Sequence, residues 1–120
     1  MVEDDHTVQK ALKRLFEFEG YKVETCSDGQ SAIDTYKTVE PTAVVLDLGL
    51  PVVSGEVVLR EIRREAQLLP IVVVTAVSDD DAKTLMLELG ADDYVTKPFS
   101  PRELLARVKS AICRTSYLRG

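Results

Sequence analysis

The chain has 120 residues, 45% of them hydrophobic and 29% charged, with a formal net charge of −5. That length fits one domain able to bury a real core, and the composition excludes a disordered chain. The acidic balance argues against nucleic acid or an anionic membrane as a ligand of this domain, and no apolar run approaches the ~18 residues of a membrane span.

The opening "MVEDD" reads as a short first strand ending in Glu3, Asp4 and Asp5. It is acidic rather than basic and then apolar, so no signal peptide is expected and the protein is assigned to the cytoplasm. Cys26 and Cys113 form no CxxC pair and are read as reduced thiols. His6 lacks Cys or His neighbours for a metal site and is expected at the surface, at a helix start.

From His6 to Glu19 the apolar residues Val8, Ala11, Leu12, Leu15 and Phe16 follow helical spacing, and Gly20 ends the helix. "YKVETC" (21–26) alternates as a strand. Asp28 is the expected N-cap of a helix that ends before Pro41. "TAVVLD" (42–47) is a strand whose unbroken apolar run implies burial on both faces. A third helix is expected over 55–66, a buried strand over 71–76, and a fourth helix over 79–89, stopped by Gly90. "DYVTK" (93–97) is the last strand, and Pro101 opens the last helix. Strand and helix in regular alternation predict a parallel sheet, doubly wound, with helices on both faces.

In such a fold functional groups gather at the carboxyl ends of the strands. The acids at 3–5, Asp47, Thr75 and Lys97 all stand there. Clustered carboxylates repel unless neutralised. A hard divalent cation, Mg²⁺ above all beside phosphate chemistry, is one remedy, and the Lys97 ammonium is the other. A carboxylate so placed can attack phosphorus and form an acyl phosphate, with metal, lysine and the Thr75 hydroxyl facing the transferring oxygens. Taken singly, each of these residues has a plainer reading as turn former, loop acid or structural hydroxyl. Their order at successive strand ends favours the chemical one.

With "VEDD", "VVLDLGLPVVSG", "VVVTA" and "GADDYVTKPFSPRELLARV" in place, essentially the whole chain resembles the receiver domain of bacterial two-component response regulators, OmpR/PhoB-like. The resemblance implies a five-stranded flavodoxin-like sheet of order 2-1-3-4-5, with the domain over 1–116 and a linker to an output domain from 117 on. It implies Asp47 as acceptor of a phosphoryl group from a histidine kinase. It implies Mg²⁺ held by Glu3, Asp4, Asp47 and the Gly49 carbonyl, Thr75 and Tyr94 as a switch pair, and Lys97 on the phosphoryl oxygens before a cis Lys97–Pro98 bond. A homodimer through the fourth predicted helix, fifth predicted strand and fifth predicted helix is also implied, using Leu85, Asp92, Asp93, Glu103, Arg107 and Arg114. Two departures stand out. Only Met1 and Val2 precede the acid pair, where family members carry several apolar residues. Leu85 occupies a position where a basic partner for Glu103 is expected.

The implied protein is a signalling switch in transcription regulation, catalysing only its own phosphorylation and dephosphorylation. Three alternatives differ from it. A Mg²⁺-dependent phosphohydrolase needs a second acid two residues past the nucleophile, where this chain has Gly49. A flavin-binding relative wants a hydroxyl-rich phosphate loop where this chain has "EDDHT". A degenerate receiver serving only as an interaction module would lack part of the acid, hydroxyl and lysine set.

Overall fold

The computed structural model describes residues 1–3, 5–48, 54–76 and 80–119, with side chains through Thr115. Its elements are α1 (His6–Phe18), α2 (Gly29–Val39), β1 (Val44–Asp47), α3 (Gly55–Glu65), β2 (Ile71–Thr75), α4 (Asp80–Glu88), β3 (Asp93–Thr96) and α5 (Pro101–Arg119). The helices start where short polar side chains can cap them. Asp5 accepts from the Thr7 and Val8 N–H groups, Asp28 from Ser31 N–H and Ser54 from Val57 N–H.

The three strands pair in parallel in the order β1-β2-β3, with Val44 opposite Ile71 and Val73 opposite Tyr94. Side chains alternate across the sheet, so an all-apolar strand must feed two cores. Leu46, Ile71, Val73 and Tyr94 pack on one face with Val58, Leu59 and Ile62 of α3 and Met86 of α4. Val45, Val72, Val74 and Val95 pack on the other with Leu12 and Phe16 of α1 and Leu104 and Val108 of α5. Both faces of the sheet are covered, as the sequence predicts.

The expectation of five full strands is met only in part. The first segment and the 21–26 segment contribute single bridges: Val2 bridges Cys26 on one side and Leu46 on the other, both in parallel. The alternation in "YKVETC" is a genuine strand signal, but a ladder needs a partner along its length. Among the described residues, Cys26 is the one residue of this segment that bridges, to Val2. Val2 still sits between the 21–26 segment and β1, which fixes where Glu3 emerges.

Candidate functional site

Four backbone bonds bring the site together. Asp47 N–H donates to Val2 C=O at 3.0 Å and Glu3 N–H to Cys26 C=O at 3.0 Å. Leu48 N–H donates to Val74 C=O at 3.2 Å and Lys97 N–H to Thr75 C=O at 2.7 Å. The ends of three parallel segments and the residue after β3 are thus locked side by side. Gly55 allows the chain beyond Asp47 to pass close to α3, since a Cβ there would lie 2.5 Å from Leu48 Cα and 2.6 Å from Asp47 O.

Glu3, Asp47 and Thr75 are buried, with 4%, 5% and 5% exposure. Lys97 reaches over the two acids: its Nζ lies 2.8 Å from Asp47 Oδ2, 3.1 Å from Glu3 Oε1 and 3.4 Å from Glu3 Oε2. Burial and then the hydrogen bond with Asp47 push the Glu3 carboxyl up to about 8, against the pull of Lys97. Burial also works to lower the lysine, but its bonds to Asp47 and Glu3 prevail and hold it above its ordinary value. The cluster is one of competing carboxylates bound to a single shared cation.

These donors fit a hard divalent ion. Glu3 and Asp47 offer anionic oxygens within reach of one point, and the raised affinity of Glu3 for a proton marks a site short of positive charge. An ion such as Mg²⁺ takes one or two carboxylates and keeps several waters. Among the described residues no group of three His, Cys, Asp or Glu converges. Asp4 and the Gly49 carbonyl, the other expected ligands, lie outside the described residues.

The remaining expected residues are distributed as follows. Asp5 is the exposed cap of α1 rather than a member of the cluster. Tyr94 is buried on the α3 and α4 side of the sheet, opposite Val73. Leu85 is 44% exposed on α4. Arg107 of α5 pairs within its own chain with Asp93 at 3.0 Å and Glu103 at 3.4 Å. Arg114 is exposed on the same helix. Asp92 faces the other way, accepting from Arg63 Nη2 at 3.1 Å and Ile71 N–H at 2.7 Å. The Lys97–Pro98 bond is cis, as expected.

Sequence reading missed Gln9. It is buried in α1, and its amide donates to the Glu3 carbonyl at 3.0 Å and the Cys26 carbonyl at 3.3 Å. It thereby ties the start of α1 to the backbone that carries Glu3. The signal was present: Gln9 shares a helical stripe with Leu12 and Phe16, and a polar residue on an apolar stripe needs partners.

The profile of the response regulator receiver domain family matches residues 1–109. The chain is 43% identical over 115 residues to the alkaline phosphatase synthesis transcriptional regulatory protein PhoP of Bacillus subtilis, covering 96% of this chain and 48% of that protein. It spans about half the length of the curated relatives it matches. Its fold superposes on a Francisella response regulator receiver domain with a TM-score of 0.89 at 31% identity, covering 95% of this chain and 94% of that one. The receiver domain of a Pseudomonas aeruginosa sensor histidine kinase gives 0.82 at 30% identity, covering 92% and 93%, and carries a magnesium ion coordinated in its active site cleft.

Proposed function

The chain belongs to the response regulator receiver domain family, OmpR/PhoB-like, and on that premise we propose that it is a phosphorylation switch in which Asp47 takes a phosphoryl group from a histidine kinase. The observation that carries this reading is the Lys97 ammonium held between two buried carboxylates. Asp47 is fixed at the end of β1 with one oxygen bonded to Lys97, so its carboxylate is oriented before a donor arrives. Its oxygen attacks phosphorus and the bond to the donor's leaving group breaks. Lys97 then follows the transferred oxygens, and the Thr75 hydroxyl donates to one of them. A Mg²⁺ ion, when bound by Glu3, Asp4, Asp47 and the Gly49 carbonyl, supplies charge neutralisation for the incoming phosphoryl group. Gln9 positions Glu3 through its backbone.

Incubation with acetyl phosphate, read by intact mass and fragment mapping, tests this. A phosphoryl adduct confined to Asp47, and not formed when Mg²⁺ is chelated before the donor is added, is expected. An adduct on another residue, or one that forms without divalent metal, would defeat the proposal.

The unit forms a cytoplasmic receiver on the five-stranded order 2-1-3-4-5 over 1–116, followed by a linker to an output domain that acts in transcription. No helix among the described residues is long and apolar enough to cross a membrane. Thr75 and Tyr94 relay the signal to the α4, β3 and α5 face, through which activated copies pair. Leu85 is exposed on α4, at 44%. Arg107 must exchange Asp93 and Glu103 of its own chain for acids of the second copy, so the ion pairs set register and apolar burial drives association. Light scattering with the phosphoryl mimic beryllofluoride should show a dimer that Leu85→Asp weakens at least ~10-fold, the cost of placing a charge in an apolar contact. A dimer indifferent to both the mimic and the substitution would sink this interface.

A further inference from the structure

Gln9 is a buried polar residue on the apolar stripe of α1, in line with Leu12 and Phe16. Its side chain and its backbone grip the chain on both sides of position 4. The side-chain amide donates to the Glu3 carbonyl at 3.0 Å, and the backbone N–H donates to the Asp5 carbonyl at 2.9 Å. Asp5 is held a second time, its carboxylate accepting from Thr7 N–H at 2.9 Å and Val8 N–H at 3.2 Å.

The Glu3 carbonyl needs this donor because the pairing beside it ends. In a parallel pair a residue donates and accepts on the same side, to and from residues two apart on its neighbour. Glu3 N–H donates to Cys26 C=O at 3.0 Å, so the matching donor in a longer ladder is Asp28 N–H. Asp28 instead caps α2. Among the described residues the Glu3 carbonyl accepts from Gln9 alone. The same amide nitrogen also donates to the Cys26 carbonyl, at 3.3 Å. One amide thereby joins α1, the acid-bearing segment and the 21–26 segment, beside the carboxylates that share Lys97.

We propose that Gln9 is a positioning residue for the phosphorylation site: its amide fixes the acid-bearing segment and thereby sets the site's affinity for a divalent cation. The inference rests on the phosphorylation-switch reading and adds to it a residue that acts only through main-chain carbonyls. An apolar side chain would fill the stripe, as Leu12 and Phe16 do; a donor is what the two carbonyls require. Mg²⁺ demands near-ideal octahedral geometry from few carboxylates, so a small displacement of the acids costs affinity. Groups that orient metal-binding residues from behind commonly change affinity by about 10-fold or more.

The test measures Mg²⁺ binding by titration calorimetry, without phosphodonor and at low temperature, for wild type, Gln9→Met and Gln9→Asn. Methionine keeps the length and removes the donor; asparagine keeps the amide but one methylene short of both carbonyls. Each should weaken Mg²⁺ binding about 10-fold. In uptake from acetyl phosphate each should raise the Mg²⁺ concentration for half-maximal rate by the same factor, with the rate at saturating Mg²⁺ within about 3-fold of wild type. Arg63→Ala is the control for lost stability, because its guanidinium bonds the Leu69 and Gly90 carbonyls at the opposite end of the sheet. Its Mg²⁺ affinity should stay within about 2-fold of wild type. Gln9 variants that bind Mg²⁺ within about 2-fold of wild type, a rate loss that saturating Mg²⁺ does not recover, or an equal loss of affinity in Arg63→Ala would each overturn the inference and leave the phosphorylation reading standing. A wild type that binds no Mg²⁺, or takes no phosphoryl group on Asp47, would overturn that reading and this inference with it.

Discussion

Arg63→Ala is expected to cost about 3 kcal/mol of stability, the largest effect foreseen for any side chain away from the phosphorylation site. The Arg63 guanidinium is 16% exposed and closes the end of α3 onto the loop before β3. Its Nη1 donates to the carbonyls of Ala66, Gln67 and Leu69 at 2.8–2.9 Å. Nε and Nη2 both reach the Gly90 carbonyl, at 2.9 and 2.6 Å, and Nη2 also reaches Asp92. Alanine leaves these partly buried carbonyls without a donor and strips Asp92 of its countercharge. A lysine supplies the charge but not the planar fork, so Arg63→Lys should recover less than half of the loss. Urea unfolding measures both. The site at the far end of the sheet should be spared, with phosphorylation of Asp47 at low temperature within about 2-fold of wild type. An Arg63→Ala chain within about 0.5 kcal/mol of wild type, or full rescue by lysine, would refute this account of the network.

Lys97→Met should slow phosphoryl uptake on Asp47 by about 100-fold or more, the usual cost of removing one oriented charge from a transferring oxyanion. It should also lower stability by about 2 kcal/mol, because two buried carboxylates lose their shared cation. The loss stops there because the pair can hold a proton: Glu3 is already raised to about 8 by burial and by Asp47, and Lys97 was opposing that rise. Methionine keeps the apolar stem, so packing changes little. One further consequence separates this electrostatic explanation from simple misfolding. Added Mg²⁺ should raise the melting temperature of Lys97→Met more than that of wild type, since it then supplies all the positive charge in the pocket. Equal Mg²⁺ responses in the two proteins, or uptake within about 10-fold of wild type, would show that Lys97 is not the shared counter-ion.

The sequence by itself determined the layers and the ends. Unbroken apolar runs at Val44–Leu46 and Ile71–Val74 demand burial on two faces, and only helices on both sides provide it. The caps at Asp28 and Ser54 are local, set by a side chain and N–H groups two or three residues away. The candidate site was legible for a related reason: parallel strands all end on one edge, so placing Asp47, Thr75 and Lys97 after their strands already brings them together. Contacts without a local pattern were decided only by the tertiary structure. How far the 21–26 segment pairs is not set by its own alternation: among the described residues Cys26 alone of that segment bridges. Arg63 and Asp92 lie 29 positions apart and meet through the packing of α3 against the loop before β3. Asp92 therefore meets Arg63 while Asp93, its neighbour in sequence, meets Arg107. Asp92 precedes β3 and Asp93 opens it, and which cation each acid meets is settled when α3 and α5 dock.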